Sequence, residues 1–164
     1  MQPSSTTLRQ LGINNDVLSA TTLSNVLYVD AHVLETPHAT ERTPEQWARA
    51  IMEDISESMR EQLTAAWAAI KLDLAPGAKG TIAGWRITSS TPERVLLQAN
   101  SALGFHGELA ITVTDSTVRL ATFVTASDTQ ARDAWFRVVP AHLAFVQTLF
   151  EHTKDGLAGE ASLS

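Results

Sequence analysis

Residues 81–125 contain four consecutive segments in which apolar and polar residues alternate, with only short turns between them. This alternation predicts strands with one buried face, and short connections predict antiparallel hairpins. The strands are predicted at 81–89, 94–101, 106–114 and 117–125. One face carries Trp85, Ile87, Val95, Leu97, Leu109, Ile111, Val113, Val118, Leu120 and Val124. The opposite face carries the polar residues Arg94, Gln98, Asn100, Glu108, Thr112 and Arg119.

An apolar sheet face needs a cover, and residues 128–153 are the one long amphipathic segment that can supply it. Ser127 is predicted to cap this helix, with Gln130 completing a capping box. Pro140 removes one backbone hydrogen bond and predicts a kink near Phe136, with gentle curvature as the alternative. The apolar stripe, at spacings of three and four, comprises Trp135, Val138, Val139, His142, Phe145, Val146, Leu149 and Phe150.

The first half of the chain predicts a strand and two short helices. Alternation predicts a strand at 25–35, and Thr43, Pro44 and Gln46 form a helix-start signal. The apolar residues that follow are four apart, which drifts about 40° per step on a helix. We therefore predict helices at 44–53 and 56–70, the second capped by Asp54 with Glu57, with one bent helix as the alternative.

The domain organisation follows from these elements. A short helix is predicted within Leu11–Leu18, and 71–80 reads as a loop. We predict a polar N-terminal arm over 1–24, a single domain over 25–155 and a frayed tail over 156–164. The fold class is α+β, a curved antiparallel sheet wrapped around a long C-terminal helix.

Composition excludes several classes of function. The 164 residues contain no cysteine, which rules out disulfides and thiolate chemistry. The net charge of −6 disfavours nucleic acid as a partner. No apolar run is long enough to cross a membrane, and the polar N-terminus has no apolar signal core. We expect a cytoplasmic protein without membrane insertion.

The order of elements resembles the helix-grip fold of the START and Bet v 1-like (SRPBCC) superfamily, which includes polyketide cyclases. Ser101, Glu108 and Thr125, followed by the segment 135–142 with its Pro-x-His pattern, resemble an uncharacterised bacterial branch of it. The resemblance covers about 25–153. It implies a cavity between sheet and last helix that binds hydrophobic or aromatic molecules. The five predicted strands are fewer than the six or seven usual there, so either a strand near 72–84 is overlooked or the cavity is small.

Five residues are the candidate ligand-binding set. His142 is the one ionisable group in the apolar stripe, and an imidazole titrates near neutrality. Trp85, Trp135 and Phe145 could stack on a ring-shaped ligand, and Thr122 could bond a ligand or His142. The alternative for each is ordinary core packing, with polar atoms satisfied by the protein. No catalytic residue is assigned.

Other polar residues carry no predicted chemistry. His106 with Glu108, and His32 with Asp30, are each interpreted as solvated pairs on an outer sheet face. No phosphate loop, nucleophile elbow or metal-ligand set occurs, so we expect no cofactor and no metal. Ala110, Ala121 and Phe123 form a small apolar patch on the polar face, which could pair two molecules as a homodimer.

Three functions therefore remain open. The first is binding of a small apolar or aromatic ligand. The second is an enzyme of the cyclase, dehydratase or hydrolase kind that uses His142 as acid and base. The third is an interaction module whose cavity is filled by its own side chains. A cavity that reaches His142, with a second titratable or hydroxyl group in hydrogen-bond reach, favours the enzyme, whereas a purely apolar one favours the binder.

Overall fold

The computed structural model describes residues 7–163, in which one antiparallel sheet packs against a long C-terminal helix. The elements in chain order are β1 (Thr7–Leu11), α1 (Asn15–Leu18), β2 (Tyr28–Glu35), a 3-10 turn (Ala39–Glu41), α2 (Pro44–Met52), α3 (Glu57–Ala69), β3 (Thr81–Ile82), β4 (Trp85–Ser90), β5 (Arg94–Asn100), β6 (Phe105–Val113), β7 (Thr117–Ala126) and α4 (Thr129–Leu163). The strand order is β1-β2-β7-β6-β5-β4-β3. The predicted α+β class is confirmed, and the arrangement is consistent with a helix-grip fold.

The sheet has seven strands in the described chain, two more than predicted. One is β1, which pairs with β2 at the sheet edge and lies within the predicted arm, whose residues 1–6 are outside the described chain. The other arises because the predicted strand 81–89 breaks at Ala83 and Gly84, whose φ angles are +52° and +89°. Two positive φ angles form a tight hairpin turn, which Asn-Gly signals more clearly than Ala-Gly.

The helix starts are set by capping side chains. The Thr43 hydroxyl accepts from the Gln46 amide, and the Gln46 side chain accepts from the Thr43 amide, so the predicted capping box is confirmed. Two helices follow, as predicted. The second is capped by Ser56 rather than Asp54, and Asp128 rather than Ser127 accepts a hydrogen bond from the Ala131 amide. Both errors are displacements by one or two positions among residue types that cap equally well.

The last helix is longer than predicted. It continues through Pro140 and past the expected end at Thr153 as far as Leu163, and Leu157 is buried in the core. A glycine such as Gly156 costs a helix only about 1 kcal/mol, which tertiary packing offsets. Ser164, in the predicted tail, lies outside the described residues.

Both faces of the sheet are buried. The front face, which packs against α2, α3 and α4, carries the predicted apolar set. The back face was predicted to be solvated, but the N-terminal segment 17–26 lies across it. The apolar residues packed there are Val17, Ala20, Ala31, Leu96, Ala110, Ala121 and Phe123. The patch that suggested a homodimer is thus covered by the chain's own residues.

Candidate functional site

A cavity of about 210 Å³ lies between the front face, α3 and α4. All five candidate residues line it, because the inward positions of β4 and β7 and one stripe of α4 meet there. The lining residues are Met52, Leu63, Ala66, Trp67, Ala69, Ile70, Leu72, Trp85, Phe105, Gly107, Leu109, Leu120, Thr122, Val124, Trp135, Val138, Ala141, His142, Phe145, Val146 and Leu149. An apolar cavity of about 150 Å³ holds benzene, so this one suits a molecule of one or two rings.

Aromatic rings stand at two places in the cavity wall. Trp67 on α3 meets Trp85 on β4 edge to face, with ring centroids 5.9 Å apart. Trp135 on α4 lies 5.5 Å from Phe105 and 5.3 Å from Tyr28. The Trp67–Trp85 and Tyr28–Trp135 contacts are edge to face, a geometry that aromatic pairs prefer, and the Phe105–Trp135 contact is tilted.

The polar part of the site is centred on Asp30. Its Oδ2 atom accepts a hydrogen bond from the Tyr28 hydroxyl at 2.6 Å and lies 2.8 Å from His142 Nε2. The side chain of Asp30 is only 4% exposed. His142 contacts Asp30 through Nε2, which leaves its other imidazole nitrogen, Nδ1, without a hydrogen-bond partner in the described chain. We call Tyr28, Asp30, His32 and His142 the Asp30 cluster.

The interpretation of Asp30 and His32 as a solvated pair is wrong. Both are buried, at 4% and 2% exposure, with His32 Nδ1 3.8 Å from Asp30 Oδ1. The even-numbered residues of β2 lie on the front face, where Asp30 pairs in register with Thr122 of β7. The odd-numbered residues lie under the N-terminal segment. A strand buried on both sides lets its apolar residues face either way, so alternation alone chose the wrong face.

Burial sets the ionisation of two members of the cluster. Burial raises the pKa of the Tyr28 phenol well above its usual range, and the hydrogen bond and charge of Asp30 add to this effect. Burial also lowers the pKa of His32, and the opposing charge of Asp30 does not compensate for it. Tyr28 is therefore a permanent donor, and His32 is neutral at pH 7.

Several buried polar atoms of the site have no hydrogen-bond partner in the described chain. They are Asp30 Oδ1, His32 Nδ1, Trp85 Nε1, Thr122 Oγ1 and Trp135 Nε1. A buried donor or acceptor without a partner lowers the free energy of unfolding by about 1–3 kcal/mol. Thr122 is predicted to bond a ligand or His142, with a backbone bond as the alternative, and in the described chain its hydroxyl bonds neither His142 nor the backbone. Trp47, outside the cavity, by contrast donates to the Ala39 carbonyl at 2.8 Å.

Glu108 was also expected to be solvated, and this too is wrong. Its carboxylate is fully buried on the back face. Oε1 accepts from the Thr21 hydroxyl and the Thr22 amide, and Oε2 accepts from the Thr22 hydroxyl and the Gln98 amide group. Burial works to raise the pKa of Glu108, but these hydrogen bonds outweigh it and hold the pKa below its usual value. Glu108 therefore fastens the N-terminal segment to the sheet.

Among the side chains that the structure describes, no three His, Asp or Glu residues come together as metal ligands. His106 of the predicted pair instead bonds the Asn100 side chain. None of the helices in the described part of the chain combines the length and apolar character needed to span a bilayer.

Comparisons with protein-family models, with curated proteins and with solved structures find no match to this chain.

Proposed function

We propose that the chain binds a small apolar or aromatic molecule in the cavity between the front face and α4. The observation that carries this proposal is the cavity itself, about 210 Å³ and lined by almost entirely apolar side chains. Interiors normally pack to the density of organic crystals, with few voids larger than a water molecule. We also propose that the chain is related to the START and Bet v 1-like superfamily. A cytoplasmic location remains a prediction from the sequence.

The first test is native mass spectrometry of the protein purified from its own host, before and after denaturation. We expect a co-purifying small molecule that denaturation releases. An occluding variant makes the result specific to the cavity. Ala66 lines the cavity, whereas its neighbour Ala65 on α3 is exposed. Ala66→Phe should abolish the bound mass and Ala65→Phe should keep it. Equal occupancy in both variants would contradict the proposal.

A specific observation favours a second function, acid–base catalysis on the bound molecule. The cavity reaches His142, and Asp30 holds that imidazole by one nitrogen, as the orienting member of a catalytic dyad does. Asp30 would act as a positioning residue and His142 as the general base. A positioned base contributes about 10²–10⁴-fold to a proton transfer.

Ring opening of 5-nitrobenzisoxazole tests this function without knowledge of the natural substrate. A base takes the C3 proton, the C–H electron pair forms the nitrile, and the N–O bond breaks to give a coloured phenolate. We expect catalysis by the wild type and a loss of at least tenfold in His142→Ala. Asp30→Asn should shift the pH profile of the rate. A His142→Ala variant that keeps the wild-type rate would exclude His142 as a base.

A further inference from the structure

The cavity has a polar end, defined by Thr122, Trp135 and His142, with Asp30 behind them. The Trp135 and His142 rings are 5.2 Å apart, and Thr122 pairs in register with Asp30. Thr122 Oγ1 and Trp135 Nε1 are buried without a protein partner. An indole N–H only donates, and a hydroxyl can donate. A ligand that satisfies both atoms must therefore bring an acceptor.

The charges around the polar end narrow the class of ligand further. Among the residues lining the cavity in the described chain, none is a lysine or an arginine. The Asp30 carboxylate lies behind the polar end, 2.8 Å from His142 Nε2. An anion brought to this end would lose its hydration near that carboxylate, with no lysine or arginine in the wall to balance its charge.

We infer that the ligand is a neutral ring compound of one or two rings that carries a carbonyl or comparable hydrogen-bond acceptor, and that carboxylic acids in their ionised form are excluded. This inference rests on the proposed function and names its ligand class. The rings fill the apolar part of the cavity beside Trp85 and Phe145. The acceptor lies at the polar end against Thr122 and Trp135.

Three probes of nearly equal shape test the inference by isothermal titration calorimetry at pH 7. Ethylbenzene has no acceptor, acetophenone has a neutral carbonyl, and benzoate is an anion. In a cavity that offers no hydrogen bond, burying the carbonyl would cost acetophenone about tenfold or more against ethylbenzene. We expect acetophenone to bind at least as tightly as ethylbenzene and at least tenfold more tightly than benzoate.

Each outcome has a distinct meaning. Tighter binding of ethylbenzene than of acetophenone overturns the inferred acceptor but leaves the proposed binding function intact. Binding of benzoate as tight as that of acetophenone overturns the exclusion of anions. The proposed function itself is overturned if none of the three probes binds and if Ala66→Phe carries the same co-purifying mass as the wild type in native mass spectrometry.

Matched threonine variants locate the acceptor. Thr122→Val replaces a hydroxyl by a methyl at the polar end, and we expect it to weaken acetophenone about tenfold while ethylbenzene is unaffected. Thr112→Val makes the same change on the back face, where that hydroxyl is also buried and unpartnered. It should change neither affinity. Equal effects of the two variants on acetophenone would remove Thr122 from the site.

Discussion

Each face of the sheet buries one carboxylate, and the two carboxylates differ in how completely they are hydrogen-bonded. Glu108 on the back face accepts four hydrogen bonds, two on each oxygen. Asp30 on the front face accepts through Oδ2 alone, and its Oδ1 atom has no partner. A fully satisfied buried group contributes to stability, whereas one left partly unsatisfied lowers it. The hydrogen bonds of Glu108 hold the N-terminal segment on the back face, and the front face contains the cavity.

The isosteric amide variants should give the largest difference between the faces. Glu108→Gln must turn an amino group toward donors whichever way the amide is placed, and we expect a loss of about 2 kcal/mol in the free energy of unfolding. Asp30→Asn can keep its oxygen toward Tyr28 and His142 and place the amino group at the unpartnered position. We expect a loss below about 1 kcal/mol. Urea unfolding monitored by tryptophan fluorescence measures both, and equal losses would break the comparison.

The pH dependence of stability should divide between the faces, with a smaller effect. The pKa of Glu108 is lowered on folding, so its contribution is complete above the ordinary glutamate pKa of about 4.3 and is lost as pH falls through the folded value. The pKa of His32 is also lowered on folding. As the pH falls, the stability therefore begins to decrease at about pH 6.5, where the unfolded histidine takes up a proton and the folded one does not. His106 also has a lowered pKa, so it adds to the loss of stability that begins near pH 6.5 as the pH falls.

Two variants separate these pH ranges. Glu108→Gln should flatten the stability curve below about pH 4.3, and His32→Gln should reduce its slope just below about pH 6.5. Urea unfolding at half-unit pH steps measures the slopes, with His152→Gln, a substitution at an exposed histidine, as the control. If Glu108→Gln leaves the acid slope unchanged, the fastening of the N-terminal segment does not depend on the Glu108 charge.

The smallest effect is expected at the rim of the back face. Arg119 Nη1 contacts Asp16 Oδ2 at 2.7 Å, but the Asp16 side chain is 82% exposed. Arg119 itself is buried, but an ion pair with one exposed partner contributes at most about 1 kcal/mol, so Asp16→Asn should cost about 1 kcal/mol or less. A loss as large as that of Glu108→Gln would show that the rim, and not the buried carboxylate, holds the segment. Chemical unfolding in low and in high salt provides the measurement and the control.

Much of the candidate site was predictable because it depends on local periodicity. Trp85, Thr122, Trp135, His142 and Phe145 all lie on inward positions that two- and three-to-four-residue spacing identifies. Asp30 and Tyr28 were missed, although they alternate along β2 in the same way. One signal was available in the sequence. Tyr28, Asp30 and His32 lie on the same strand face as Leu34, and this leucine is fully buried in the structure.

The sequence by itself determined most of the element types after residue 25, the apolar front face and the helix that covers it, because turns, caps and hydrophobic spacing act within a few residues of one another. The tertiary structure alone decided which face of β2 meets the cavity and what covers the back of the sheet. Thr22 and Glu108 are 86 residues apart in sequence, and Asp30 and His142 are 112 apart. No local pattern can specify such pairings, because they form only when strand register and helix docking bring distant residues together.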